Sequence, residues 1–129
     1  MTRATRERLT DIRDAARDLL DFVGTMESEA FHLLRATDRM AHRAIKNPLA
    51  EIGEAIKALP PEIPRRYPDV DWRGFSGLRD VVAHGYFGLE QARLWPVVRD
   101  EVPLLLAPVE RELARLKAGD EQAGFRRET

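Results

Sequence analysis

Within residues 76–90, SGLRDVVAHGYFGLE, a guanidinium, a carboxylate, an imidazole and a phenol fall close together in Arg79, Asp80, His84 and Tyr86. On a helix turning roughly 100° per residue, Asp80 and His84 form an i, i+4 pair on one face, within reach of a carboxylate–imidazole hydrogen bond. Such a bond orients the ring and favours its protonated form, keeping a proton available near neutral pH. Arg79 precedes His84 by five positions, roughly 140° around the helix. Its long side chain can still bend toward a ligand held at the helix end, and its planar fork suits phosphate. A proton-exchanging His beside a phosphate-holding Arg suits RNA cleavage by the RNA's own 2′-hydroxyl. His84 is then the general acid or base, and Arg79 stabilises charge on the phosphoryl oxygens. Spacing alone leaves a plainer reading open, because the helix dipole favours a His at a helix C-terminus and adjacent Arg and Asp residues are commonly surface residues.

The other polar candidates carry weaker chemistry. The chain has no cysteine, which excludes disulfides, thiolate metal sites and a cysteine nucleophile. His32 and His42 lack a companion ligand at i+3 or i+4, and Glu51 with Glu54 lacks the second pair or His that a di-metal bundle site needs. No metal and no cofactor is therefore expected. Between positions 57 and 79, Lys57, Arg65, Arg66, Arg73 and Arg79 outnumber Glu62, Asp69 and Asp71, a modest strip that faces either phosphate or solvent. Trp72, Phe75 and Trp95 could stack on bases, but core packing is the commoner use. Gly53 and Gly77 lie inside helical patterns, where each costs about 1 kcal/mol relative to Ala, and close helix packing is the expected reason.

The elements that must position these groups are helical. The 129 residues are 43% hydrophobic and 33% charged, the composition of one compact domain. Twenty-one basic against twenty-two acidic residues leave a net charge of -1, so any polyanion must be held locally rather than by the whole molecule's field. Leu9, Ile12, Ala16, Leu19 and Val23 recur at three- and four-residue steps and predict an amphipathic helix from Arg6 to Val23, ended by Gly24. A second helix starts near Glu27, and Asp38 is the candidate N-cap of a third that runs to about Leu59, with a kink or break expected near Lys46 and Asn47 because of Pro48. Pro60, Pro61, Pro64 and Pro68 predict a connecting loop. A helix over about 72–84 and a last one over about 90–117, bent or interrupted by its prolines, complete an all-α up-and-down bundle of four to five helices. Residues 1–118 read as one helical domain and 119–129 as a loose polar tail. Neither a signal peptide nor a membrane anchor is expected, and the cytoplasm is the expected location.

The run from Arg79 and Asp80 to His84 and Tyr86 resembles the R-x4-H-x-Y signature of the HepT-like toxins, members of the HEPN superfamily of helical ribonucleases. Ile52, Gly53, Glu54 and Ala55 match that family's IGEA segment, Pro68 with Trp72 its P-x-x-x-W approach, and Gly77 with Leu78 its entry into the signature. Leu94, Trp95, Val102 and Pro103 resemble its final helix, so the likeness runs from about Leu9 to Leu116. Pro48 and Glu51 depart from the family's usual Asn and Ile.

The resemblance implies a metal-independent ribonuclease toxin of a type VII toxin–antitoxin system, with Arg79 and His84 catalytic and Asp80 supporting them. It further implies a nucleotidyltransferase antitoxin that silences the toxin by transferring AMP to Tyr86, an RNA substrate, and a homodimer or higher homo-oligomer. Two other readings stay open: a non-catalytic helical subunit that positions substrate for a partner nucleotidyltransferase, and a bundle whose signature only holds an interface together.

Overall fold

The computed structural model describes residues 3–80 and 89–128, with the side chains of 34–37, 89–92 and 120–128 left aside. The described residues are helical with no strand, the all-α architecture that the Ala- and Leu-rich composition favours.

Helix α1 (Arg3–Val23) buries Leu9, Ile12, Ala16 and Leu19, the stripe expected from its periodicity. Gly24 ends it at φ +53°, a left-handed conformation open to glycine without steric cost. Helix α2 spans Ser28–Thr37, and α3 spans Arg39–Lys57. Asp38 caps α3, its carboxylate accepting from the Ala41 amide at 3.0 Å, which satisfies one of the amides a helix start leaves open. The backbone of α3 passes through Pro48 without the expected break. Ile45, Leu49, Ile52 and Ile56 are buried on both sides of the proline, and that packing outweighs the local loss of a donor.

The proline-rich segment is not wholly a loop. A short α4 (Glu62–Arg66) forms there, with Pro61 at its N-cap and Pro64 in its first turn. Prolines cost little at these positions because amides of the first turn have no intrahelical partner to lose. Ile63 then drives the turn into the core. Helix α5 (Trp72–Ser76) is shorter than expected: the chain turns at Gly77, and helix resumes over 78–80. The rest of the expected 72–84 helix lies outside the described residues.

Helix α6 (Leu89–Pro96) leads into a π-helical turn, Val97–Glu101, and then α7 (Val102–Glu128). Pro103 has no amide hydrogen and would press on the Arg99 carbonyl in a regular helix. The wide turn relieves that clash, with the Val102 amide bonding back to the Val97 carbonyl. The backbone of α7 stays helical to Glu128, through the stretch from Gly119 expected as a loose polar tail.

One hydrophobic cluster joins these elements. Helix α1 packs on α3 and α7, α5 packs on α3, and α2 packs on α3 and α6. Phe31 and Trp95 meet with ring centroids 5.0 Å apart, tying α2 to α6. No helix among the described residues is long and apolar enough to cross a membrane.

Candidate active site

The site is built where α3 meets the segment that follows α5. A Cβ on Gly53 would stand 2.7 Å from the Phe75 carbonyl oxygen and 3.5 Å from the Arg79 amide nitrogen. Only glycine lets the two backbones approach this closely, so the packing role expected for Gly53 holds. Gly77 is different: a Cβ there would meet only carbonyls of its own turn, at 3.7 Å. It closes α5 in a right-handed conformation, φ -83°, rather than admitting a neighbouring helix.

One residue beyond Gly53, Glu54 reaches Arg79. The Arg79 Nη1 donates to Glu54 Oε1 at 2.6 Å, with the two side chains 61% and 49% exposed. A pair this exposed contributes little to stability. Its use is geometric: the contact orders the guanidinium from one edge. Spacing rules missed Glu54 as a partner because it lies 25 residues from Arg79. Its hints in sequence were its place beside Gly53 and within the IGEA segment.

Arg79 borders a groove of about 530 Å³ between α1 and α3. Asp11, Asp14, Asp18, Glu51 and Glu54 line it, with Arg8 as its other cation. The surroundings of Arg79 are thus acidic, and the groove by itself repels a polyanion. Among the described residues no group of three or more His, Cys, Asp or Glu side chains is arranged to hold a metal ion.

Of the expected site residues, Arg79 and Asp80 stand in sequence on the helical turn after Gly77. His84 and Tyr86 lie outside the described residues. Two cations of the basic strip over 57–79 are engaged with carboxylates. Arg66 turns inward to the fully buried Glu112, donating at 2.8 and 3.0 Å, while Arg79 turns to Glu54. Trp72, Phe75 and Trp95 are core residues, and Trp72 donates its indole N–H to the Tyr67 carbonyl at 2.9 Å. His42 is buried, and His32 is exposed with Nδ1 2.6 Å from the Ser28 carbonyl oxygen.

Glu112 anchors the segment that leads to the site. Tyr67 donates its hydroxyl to Glu112 Oε1 at 2.8 Å, and Arg115 adds a contact at 3.3 Å. Burial pushes the Glu112 carboxyl up, but the hydrogen bonds from Tyr67 and Arg66 and the nearby guanidinium charges outweigh it and hold it below its ordinary value. Burial and the same carboxylate push the Tyr67 phenol up.

Comparison with known proteins adds the decisive observation. Residues 12–112 match the HepT-like ribonuclease family, described as "Ribonuclease HepT-like". The chain belongs to that family. It is 32% identical over 115 residues to a candidate RNase of Methanocaldococcus jannaschii, a match covering 89% of this chain and 92% of the relative. It is also 31% identical over 111 residues to a protein of Thermococcus cleftensis named as a probable ribonuclease HepT, covering 86% and 97%. A candidate RNase of Caldanaerobacter subterraneus is 35% identical over 80 residues, covering 62% of this chain and 71% of the relative. No solved structure matches. The matched span contains Gly53, Glu54 and the whole run from Arg79 to Tyr86.

Proposed function

We propose that this HepT-like chain is a metal-independent ribonuclease and the toxin of a type VII toxin–antitoxin pair, acting in the cytoplasm as a homodimer. One observation carries the reading: in a chain of this family, the signature Arg79 is 61% exposed and braced on one edge by Glu54, a geometry suited to gripping a phosphate. Arg79 neutralises charge as it develops on the phosphoryl oxygens, and His84 moves the proton of the attacking 2′-hydroxyl or of the leaving oxygen. Asp80 supports the imidazole. A two-fold axis brings a second Arg and His to a sparse site.

Control runs through Tyr86, which accepts AMP from the partner nucleotidyltransferase. The attached phosphodiester sits two residues from His84 and competes for the groups that receive RNA phosphate. Residues 1–118 act as one helical domain that carries the whole site.

The test is cleavage of an RNA with chelator present, by the natural chain and by Arg79→Ala and His84→Ala. The natural chain should cut and leave a 2′,3′-cyclic phosphate or its hydrolysis product, and a 2′-deoxy sugar at the cut position should block it. Each variant should stay folded and lose at least 10²-fold in rate, the typical scale of general acid–base catalysis. Folded variants that still cut would remove Arg79 and His84 from the catalytic roles, and a natural chain that binds substrate and cuts nothing would favour the non-catalytic subunit.

A further inference from the structure

Arg79 in acidic surroundings on a chain of net charge -1 poses an electrostatic problem for the ribonuclease reading, since neither supplies affinity for an RNA backbone. The opposite flank of α1 supplies it. A second groove, about 480 Å³, runs between α1 and α7, and among the described residues that line it Arg6, Arg13, Arg17 and Lys117 stand against one carboxylate, Glu110.

The two flanks follow from the helical wheel. At roughly 100° per residue, Arg6, Arg13 and Arg17 fall within about 40° of one another, and Asp11, Asp14 and Asp18 cluster about 120° away, with the buried stripe closing the circle. Arg6, Arg13 and Arg17 span about 16 Å along the axis at 1.5 Å per residue, with Lys117 facing them from α7. Arg17 donates to Glu110 at 2.8 Å and Arg13 to Asp14 at 3.0 Å. Both pairs are partly exposed, so exchanging a carboxylate for a phosphate costs little.

We infer that the α1–α7 groove is a docking track for the RNA backbone, binding three to four phosphates without reading bases and delivering the strand across α1 to Arg79. A helix is about 10 Å across, so a few nucleotides span the ridge between the grooves. The inference rests on the ribonuclease reading for the identity of the polyanion. Its evidence is independent of that reading, being the charge and shape of a different face.

The experiment measures binding of a single-stranded 2′-O-methyl RNA oligomer, which lacks the attacking hydroxyl, over a salt series. Four neutralised phosphates predict a log–log slope near -3, at about -0.7 per contact on a single strand. Substituting Arg6, Arg13, Arg17 and Lys117 together with Gln should flatten the slope by most of that amount and weaken binding at least tenfold at low salt. The double variant Arg13→Gln, Lys117→Gln should flatten it by about half, which keeps the test usable if the fourfold variant does not fold. Asp11→Asn with Asp18→Asn, which removes repelling charge on the other flank, should not flatten the slope or weaken binding. An unaltered slope in the double variant overturns the proposal, as does a natural chain that does not bind the oligomer. Salt-dependent binding lost in the variants, with a natural chain that cuts no RNA, would uphold the track and sink the ribonuclease reading instead.

Discussion

Replacing Gly53 with Ala sets two effects of opposite sign against each other. In an ordinary helix interior the change stabilises by roughly 0.5–1 kcal/mol, because glycine loses the most backbone freedom on folding. Here the new methyl would stand 2.7 Å from the Phe75 carbonyl oxygen, and ordinary contact begins near 3.4 Å, so the facing segment must back away by about 0.7 Å. That oxygen belongs to the backbone of α5 and cannot yield alone. Overpacking of this kind costs typically 1–3 kcal/mol, which leaves a net loss of about 1 kcal/mol and a fall in Tm of about 4 °C. The displaced segment carries Arg79, whose amide is the next atom in line at 3.5 Å. A catalytic group misplaced by 1 Å can cost about 10² in rate, so Gly53→Ala should lose on the order of tenfold in RNA cleavage. Gly77→Ala is the control: the new methyl meets nothing closer than 3.7 Å and φ is -83°, so stability should hold or rise by a few tenths of a kcal/mol. Urea unfolding and cleavage rate are the two assays. A Gly53→Ala chain that is more stable by about 1 kcal/mol and cuts at the natural rate would refute the close-approach argument.

Two further outcomes follow from the structure and the proposed function. Glu112→Gln leaves Arg66 and Tyr67 facing a neutral acceptor and should destabilise by about 2–3 kcal/mol near pH 7. Because the folded carboxyl is held below its ordinary value of 4.5, its contribution is complete above that pH and is lost as pH falls through the folded value. Urea midpoints of the natural and Gln chains should therefore converge in acid, and parallel curves from pH 7 down to 3 would sink the assignment. Co-expression with the partner nucleotidyltransferase should add the mass of AMP at Tyr86 and abolish cleavage. Full silencing of Tyr86→Phe would show that inhibition works through binding alone.

The helices that position the site were legible where a local rule governs them. The three- and four-residue steps of Leu9, Ile12, Ala16 and Leu19 mark α1, Gly24 ends it, and Asp38 caps α3 as its residue type implies. Prolines misled because their effect depends on where they fall. Pro48 is carried by buried neighbours on both sides and Pro64 costs little in a first turn, whereas the interruption expected of the last helix is there, as the π-turn that precedes Pro103. At the candidate site, residue types and spacing pointed to Arg79 but not to its contact with Glu54. The contact with Glu54 depends on two backbones meeting at Gly53, which is tertiary information. The basic flank was present all along in the positions of Arg6, Arg13 and Arg17, yet its meaning as a groove depends on Lys117 arriving from the far end of the chain.

The separation of the basic groove from Arg79 has a catalytic logic on the proposed reading. A cation that gripped the scissile phosphate equally well before and during reaction would lower KM without raising kcat. Arg79, half-compensated by Glu54 and bordered by Asp11, Asp14 and Asp18, offers a ground-state phosphate a weak grip. Its guanidinium gains most when an extra negative charge builds on the phosphoryl oxygens, which is when stabilisation accelerates the step. Affinity then has to come from groups that never touch the reacting atoms, as the cations on the far side of α1 do not. The acidic neighbours that look hostile to RNA thus divide the labour: the α1–α7 groove holds the strand, and Arg79 is kept for the transition state.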